Sequence, residues 1–76
     1  MNPEEVMVKV TPGERVRWAR IQKGYTLKEL GTLLGYQGRS VECAIQNWEH
    51  NRTPIPIKHF RKLSEILEIP LEQFIP

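Results

Sequence analysis

Two closely spaced helix-start signals dominate the first half of this 76-residue sequence. Thr11-Pro12-Gly13-Glu14 carries a capping hydroxyl, a proline at the first helical position and a glutamate able to return the capping hydrogen bond. Thr26-Leu27-Lys28-Glu29 repeats the threonine-to-glutamate capping box. Gly24 lies between them and suits a helix end, because glycine adopts the left-handed backbone without steric cost. We therefore predict a first helix to about Lys23 and a short second helix that Gly35 ends.

The second half of the chain predicts two further helices. Ser40 is placed to cap a third helix that ends near His50, and Asn51 can replace glycine at that end. After the proline-rich residues 54–56, the apolar residues of 57–67 recur on one face, as in a fourth helix. Pro70 then opens a terminal turn.

The N-terminal residues follow a different pattern. Val6, Val8 and Val10 alternate with Met7 and Lys9, as in a short strand. We therefore divide the chain into an N-terminal arm or strand over residues 1–10 and a helical domain over residues 11–76.

Composition limits the classes of protein to consider. The chain has 11 Lys+Arg against 9 Asp+Glu and is 39% hydrophobic, which is ordinary for a globular domain. No apolar run approaches the roughly 20 residues that span a bilayer, and no signal pattern opens the chain. We expect a cytoplasmic protein without membrane contact.

The chain offers little for catalysis or metal binding. It contains no Asp, and its single cysteine, Cys43, excludes an internal disulfide and any zinc site with paired thiolates. Cys43 and His50 share a face of the third helix but stand about 10 Å apart along its axis, too far for a nucleophile and its base. His59, on the flank of the fourth helix, is expected to be exposed. We expect no enzyme, no metal and no cofactor.

The third helix has an outer face suited to reading DNA bases. At about 100° per residue, one face carries apolar side chains and the opposite face carries Cys43, Gln46, Asn47 and His50. Amide side chains such as Gln46 and Asn47 can pair bidentately with adenine in the major groove. Arg39 and Ser40, at the start of the helix, add a guanidinium and a hydroxyl for guanine or phosphate. The alternative is that Gln46 and Asn47 are merely solvated polar residues on an exposed helix face.

An ordered set of residues over 13–74 resembles the Cro and phage-repressor type of helix-turn-helix domain, the XRE family. The set comprises Gly13-Glu14-Arg15-Val16-Arg17, Ala19-Arg20, Gly24 to Gly31, Leu34-Gly35, Ile45, Trp48-Glu49, Asn51, Pro54, Phe60 to Leu67, Ile69, Leu71 and Phe74. The resemblance implies an all-α fold, a compact five-helix lambda-repressor-like domain. Its third helix, Val41 to His50, would enter the major groove while the second lies across it near a phosphate. The resemblance also implies a pairing of Arg20 with Glu49.

The turn between the second and third helices is longer than the family pattern by about four residues, around Tyr36 to Ser40, which costs well under ~1 kcal/mol. Counting back from Glu49 assigns base-reading positions to Glu42, Cys43 and Asn47. Counting forward from Gly35 assigns them to Gln37, Gly38 and Arg39. We follow the backward count for Asn47 and keep Arg39 and Ser40 as candidates from the enlarged turn.

Phosphate contacts are also implied by the resemblance. The family often has a polar side chain where this chain has Leu27, so Lys28 or the backbone N–H groups of residues 26–28, beginning at Thr26, would serve instead. Arg52 and Thr53 match the stretch that usually meets the DNA backbone.

The first helix carries apolar side chains on two sides. Val16 and Ala19 point one way, whereas Trp18 and Ile21 point roughly the opposite way. Either residues 6–10 cover Trp18 and Ile21, or the pair forms a dimer or partner surface.

These observations favour a sequence-specific regulator of transcription, a repressor that binds double-stranded DNA as a homodimer. The alternative is a protein-interaction module on the same fold, with Trp18, Ile21 and the enlarged turn as its surface. Salt distinguishes them, because DNA binding weakens steeply as salt rises.

Overall fold

The computed structural model describes residues 10–74, which form four α-helices and two 3-10 turns. The helices are α1 (Pro12–Lys23), α2 (Leu27–Leu33), α3 (Ser40–Glu49) and α4 (Phe60–Leu67), and the 3-10 turns are Ile57–His59 and Leu71–Phe74. The predicted all-α class is confirmed, and within residues 10–74 there is no strand. A 3-10 turn stands where the fifth helix was expected. The predicted strand at Val6 and Val8 lies outside the described residues.

The predicted ends of α1 and α2 agree with the structure. Gly24 ends α1 in the left-handed conformation, with φ 76°. At the start of α2 the capping box is complete, because Thr26 and Glu29 each donate a backbone N–H to the other's side chain at 3.0 Å. At the start of α1, Thr11 Oγ1 accepts from Glu14 N at 3.2 Å. The Glu14 carboxylate accepts from Asn51 Nδ2 at 3.4 Å, so it interacts with the end of α3.

The start of α3 differs from the prediction. Ser40 is the first helical residue and not the cap, and Arg39 at the cap position makes no side-chain capping hydrogen bond. The reason is Gly38, whose φ of 98° brings the chain into a helical conformation already at Arg39. At the other end, Asn51 adopts a φ of 60° in glycine's place, as predicted.

The predicted fourth helix is divided in two. Residues Ile57–His59 form a 3-10 turn, and α4 begins only at Phe60. His59 N donates to the Pro56 carbonyl at 2.9 Å, an i to i−3 bond. Pro56 itself is extended, with ψ 136°, so the chain enters the helix through this tighter turn.

The core lies where all four helices meet, and α3 passes through its centre. Buried apolar side chains are Val16, Ala19, Leu30, Leu34, Val41, Ile45, Trp48, Ile55, Leu63, Leu67, Ile69 and Phe74. Two glycines let the other helices approach α3 closely. A β-carbon on Gly13 of α1 would lie 1.8 Å from the Trp48 carbonyl oxygen, and one on Gly31 of α2 would lie 2.6 Å from Val41 Cγ1. The position of α3 is therefore set by direct contact with α1 and α2.

Candidate nucleic-acid interface

Helix α3 buries one face and exposes the other. Val41, Ile45, Trp48 and Glu49 are buried. The opposite face exposes Cys43, Gln46 and His50, while Glu42 and Asn47 are half-buried at its edges. The exposed strip runs the length of the helix from Ser40, which is also exposed. This strip is the polar surface that a major groove would meet.

A buried ion pair fixes the C-terminal end of α3 to α1. Arg20 Nε donates to Glu49 Oε2 at 2.7 Å and Arg20 Nη2 donates to Glu49 Oε1 at 3.1 Å, a bidentate geometry. Only 3% of Glu49 is exposed. The remaining nitrogen, Arg20 Nη1, donates to the Tyr25 carbonyl at 2.9 Å. One guanidinium therefore joins α1, the turn before α2 and the end of α3.

Asn51 makes a second connection between the same two helices. Thr11 Oγ1 donates to Asn51 Oδ1 at 2.8 Å, and Asn51 Nδ2 donates to Glu14. Because Asn51 follows α3 directly and Thr11 caps α1, the end of one helix is bonded to the start of the other.

The base-reading candidates occupy four different places, one of which is the C-terminal end of α3, with Asn47. Gln46 and Cys43 are exposed in the middle of α3, and Arg39 and Ser40 are exposed at its start. Glu42 lies at the edge of a cavity of about 330 Å³ between α2 and the enlarged turn, which Lys28 and Arg39 also line. These two cations oppose the unfavourable field that Glu42 would present to phosphate.

Asn47 is directed towards the segment after α3. Its Oδ1 lies 3.5 Å from Arg52 Nη1, and its carbonyl accepts from the backbone N–H groups of Arg52 and Thr53 at 2.9 and 3.4 Å. The structure therefore brings Asn47, Arg52 and Thr53 together at the C-terminal end of α3, apart from Arg39 and Ser40.

The start of α2 has less free capacity for phosphate than the sequence indicates. The Thr26 N–H is engaged by the Glu29 carboxylate, and Thr26 Oγ1 accepts from Glu29 N. Of the expected backbone donors to phosphate, the N–H groups of Leu27 and Lys28 therefore stay available. The Thr26 hydroxyl also keeps its proton to donate. Lys28 is exposed beside them.

His59 is buried, contrary to the expectation that it is exposed. Only 7% of it is accessible, its Nε2 lies 2.6 Å from the Tyr36 hydroxyl, and its ring centroid is 5.3 Å from those of Tyr36 and Trp48. Burial, with added repulsion from Lys58 and Lys62, lowers its pKa below 6.5. The sequence held a signal for this, because His59 lies four residues before Leu63 on the buried face.

Trp18 and Ile21 lie on the face of α1 opposite Val16 and Ala19, as predicted. Trp18 is 57% and Ile21 52% exposed, while Val16 and Ala19 are buried on the other side. The Arg15 guanidinium lies 4.9 Å from the centroid of the Trp18 ring. Val10 borders the same surface. The remaining residues of the predicted cover, Val6 and Val8, lie outside the described residues.

Residues 10–74 offer neither a helix suited to a bilayer nor a cluster suited to a metal ion. No helix in this part of the chain has the length and apolar character needed to cross a bilayer. The same residues contain no group of three or more His, Cys, Asp or Glu side chains that could hold a metal ion.

Comparison with known families identifies the class of this domain. The model of the helix-turn-helix family matches residues 16–74, which include all four helices except the first turn of α1. The chain belongs to this family of DNA-binding, transcription-regulating domains, the XRE family. Neither the curated proteins nor the solved structures gave a match.

Proposed function

We propose that this chain is a sequence-specific repressor that occupies its operator as a homodimer, with α3 in the major groove. The observation that carries the proposal is the exposed Gln46 on a helix whose opposite face is fixed by the Arg20–Glu49 pair and by Gly13. A base-reading side chain must be held in register to discriminate bases, and these contacts supply that rigidity.

The proposed base contacts follow the position of each side chain along α3. Gln46 and Cys43 face the groove from the middle of the helix, with Arg39 and Ser40 at its start. Asn47 uses its amide nitrogen, since Arg52 lies at its oxygen. Glu42 can contribute only by accepting from a cytosine amino group, because it would otherwise repel phosphate.

The proposed phosphate contacts lie on both sides of the groove. Lys28 and the Thr26 hydroxyl serve at the start of α2, and Arg52 and Thr53 serve after α3. These contacts supply affinity and orientation, and the contacts of α3 supply specificity. The activity needs no cofactor.

Selection of bound duplexes from a random-sequence pool at moderate salt tests this function. We expect enrichment of an inverted repeat whose half-sites are about 34 Å apart, and binding that weakens steeply as salt rises. A pool that shows no enriched site would overturn sequence-specific binding.

A protein-interaction module is the second candidate, and the exposed Trp18 and Ile21 favour it. Such a pair on an outer helix face is suited to burial against a partner or a second copy of the chain. Sedimentation of the protein and of a Trp18→Gln, Ile21→Gln variant distinguishes the roles. Loss of the dimer in the variant would assign the pair to the dimer interface. A dimer that persists, together with binding that does not respond to salt, would favour the interaction module.

A further inference from the structure

Residues 34–39 connect α2 to α3 and contain the enlarged turn as far as Arg39. Within the described part of the chain, one side-chain hydrogen bond holds them. The Tyr36 hydroxyl lies 2.6 Å from His59 Nε2, although the two residues are far apart in sequence. Gln37, Gly38 and Arg39, which connect Tyr36 to α3, are all exposed. Whatever fixes Tyr36 therefore fixes the path by which the chain enters α3.

Tyr36 is held from its backbone as well as from its side chain. Its N–H donates to the Gly31 carbonyl of α2 at 3.0 Å. On the far side of the ring, the edge of Tyr36 meets His59 with an interplanar angle of 69°. The residue therefore stands between the end of α2 and the 3-10 turn before α4.

His59 is a rigid support for this contact. Its N–H donates to the Pro56 carbonyl, and its ring packs against Trp48, which belongs to α3 itself. Three rings thus connect the turn before α3 to the buried face of α3. Without the contact, the N-terminal end of α3 would depend on three exposed residues.

We propose that Tyr36 and His59 are positioning residues for DNA reading: their contact sets the enlarged turn and thereby places Arg39 and Ser40 against the DNA. This inference rests on the proposed function. It gives a role to the enlarged turn, which is longer here than in the family pattern. The role is in the specificity of DNA binding more than in the stability of the fold.

The charges around His59 make the contact sensitive to pH. Lys58 on its own turn and Lys62 on α4 act on the ring, and Lys62 Nζ lies 3.9 Å from where a Gly35 β-carbon would stand. Tyr36 and Trp48, from the enlarged turn and α3, face the ring without a charge. A proton on His59 would place a positive charge in a site where burial and then the two lysines disfavour it, so acid favours withdrawal of the ring from this site and from its contact with Tyr36. Nonspecific DNA binding responds in the opposite direction, because added positive charge strengthens phosphate contacts.

The test uses the full chain, the duplex selected above and a random duplex of equal length. Tyr36→Phe removes the hydroxyl and keeps the ring, and His59→Leu removes the hydrogen-bonding nitrogen. The specificity ratio is the dissociation constant for the random duplex divided by that for the selected duplex. We expect each substitution to lower this ratio roughly threefold to tenfold, which is the scale of one lost hydrogen bond. His59→Gln, whose amide can reach the phenol, should restore part of the ratio. Tyr25→Phe, in the turn before α2, is the matched control and should leave it unchanged.

The readout separates positioning from a purely structural role. Binding is measured at a temperature at which melting curves show every variant to be folded, so that a lower melting temperature alone does not alter the ratio. For the unmodified protein the ratio should fall as the pH drops below 6.5, because the pKa of His59 is lowered in the folded domain, and this fall should be absent in His59→Leu. Variants that keep the wild-type ratio, or a control that loses it equally, would overturn the inference alone. An unmodified protein that selects no site would overturn the proposed function and this inference together.

Discussion

Gly13 and Trp48 bring α1 and α3 together backbone to backbone, since a β-carbon on Gly13 would lie 1.8 Å from the Trp48 carbonyl oxygen and 2.9 Å from its carbon. Backbone atoms cannot move aside as the end of a flexible side chain can. Any larger residue at this position must therefore displace α1 from α3.

Gly13→Ala should destabilise the domain by at least about 2 kcal/mol, as overpacking in a core does. The better helix propensity of alanine, about 1 kcal/mol, offsets only part of this loss. Urea denaturation measures the change. Gly31→Ala is the comparison, because its β-carbon would meet the Val41 side chain, and Val41→Ala should restore part of that loss. A fully stable Gly13→Ala would show that the two helices can separate at little cost.

Glu49→Gln should lower the free energy of unfolding by about 3 kcal/mol, because it leaves the Arg20 guanidinium without its charge partner in a largely buried site. The matched control is Glu68→Gln, which breaks the exposed pair between Lys23 and Glu68 and should cost less than about 1 kcal/mol. Urea denaturation at neutral pH measures both losses of unfolding free energy. Equal losses in the two variants would contradict the expected difference.

Stability should fall as the pH drops below 6.5, because burial lowers the pKa of His59 in the folded domain. The unfolded chain then binds more protons than the folded one, so the contribution is complete above the unfolded pKa and is lost in acid. Urea denaturation of the protein and of His59→Gln across this range isolates the effect, which the variant should lack. His50→Gln, at an exposed position, should retain it. If His59→Gln showed the same loss of stability in acid, groups other than His59 would be the cause of that loss.

Gln46→Ala should weaken binding to the selected duplex by roughly tenfold and leave the random duplex unaffected, since one base contact contributes about 1–3 kcal/mol of discrimination. Gln22→Ala, which removes an exposed amide from α1, is the control. Titrations with both duplexes at one salt concentration provide the measurement. A similar loss on both duplexes would mean that Gln46 does not read a base.

Lys28→Ala should weaken binding to selected and random duplexes by the same factor and reduce the salt slope by about 1. The reason is that a phosphate contact carries no sequence information. Binding titrations over a series of salt concentrations test this, with Lys23→Ala as the control because Lys23 already pairs with Glu68. A loss confined to the selected duplex would instead make Lys28 a specificity residue.

Local signals predicted the helices well, whereas contacts between distant segments escaped sequence reasoning. The helix ends that depend only on adjacent backbone agree with the structure. They are the start of α2 at Thr26, the end of α1 at Gly24 and the end of α3 at Asn51. Ser40 failed as a cap because the conformation of Gly38 two residues earlier decides where α3 begins. The contact of His59 with Tyr36 joins segments far apart in sequence, and no local pattern connects these two residues.

The candidate interface was predicted as a surface more readily than as a set of contacts. Helical periodicity separates Gln46 from Ile45 because burial follows from the angle around the helix. The interaction of Asn47 with Arg52 arises from the way the chain turns after α3, which periodicity does not describe. The base and phosphate assignments stay predictions, since they depend on the groove that meets the helix.

Within residues 10–74, the side-chain hydrogen bonds that join α3 to α1 lie at the C-terminal end of α3, while Val41 packs against Gly31 near the N-terminal end. Gly13, Arg20 and Asn51 hold residues 48–51, and the ten residues of α3 extend from there for about 15 Å. A rotation of α3 by only about 4° about its C-terminal end moves Ser40 by about 1 Å, which is enough to break the base contact proposed for it. If α3 reads DNA as proposed, the length of the turn before it adjusts which bases its N-terminal residues reach, so grafted turns of other lengths offer a route to new DNA specificities.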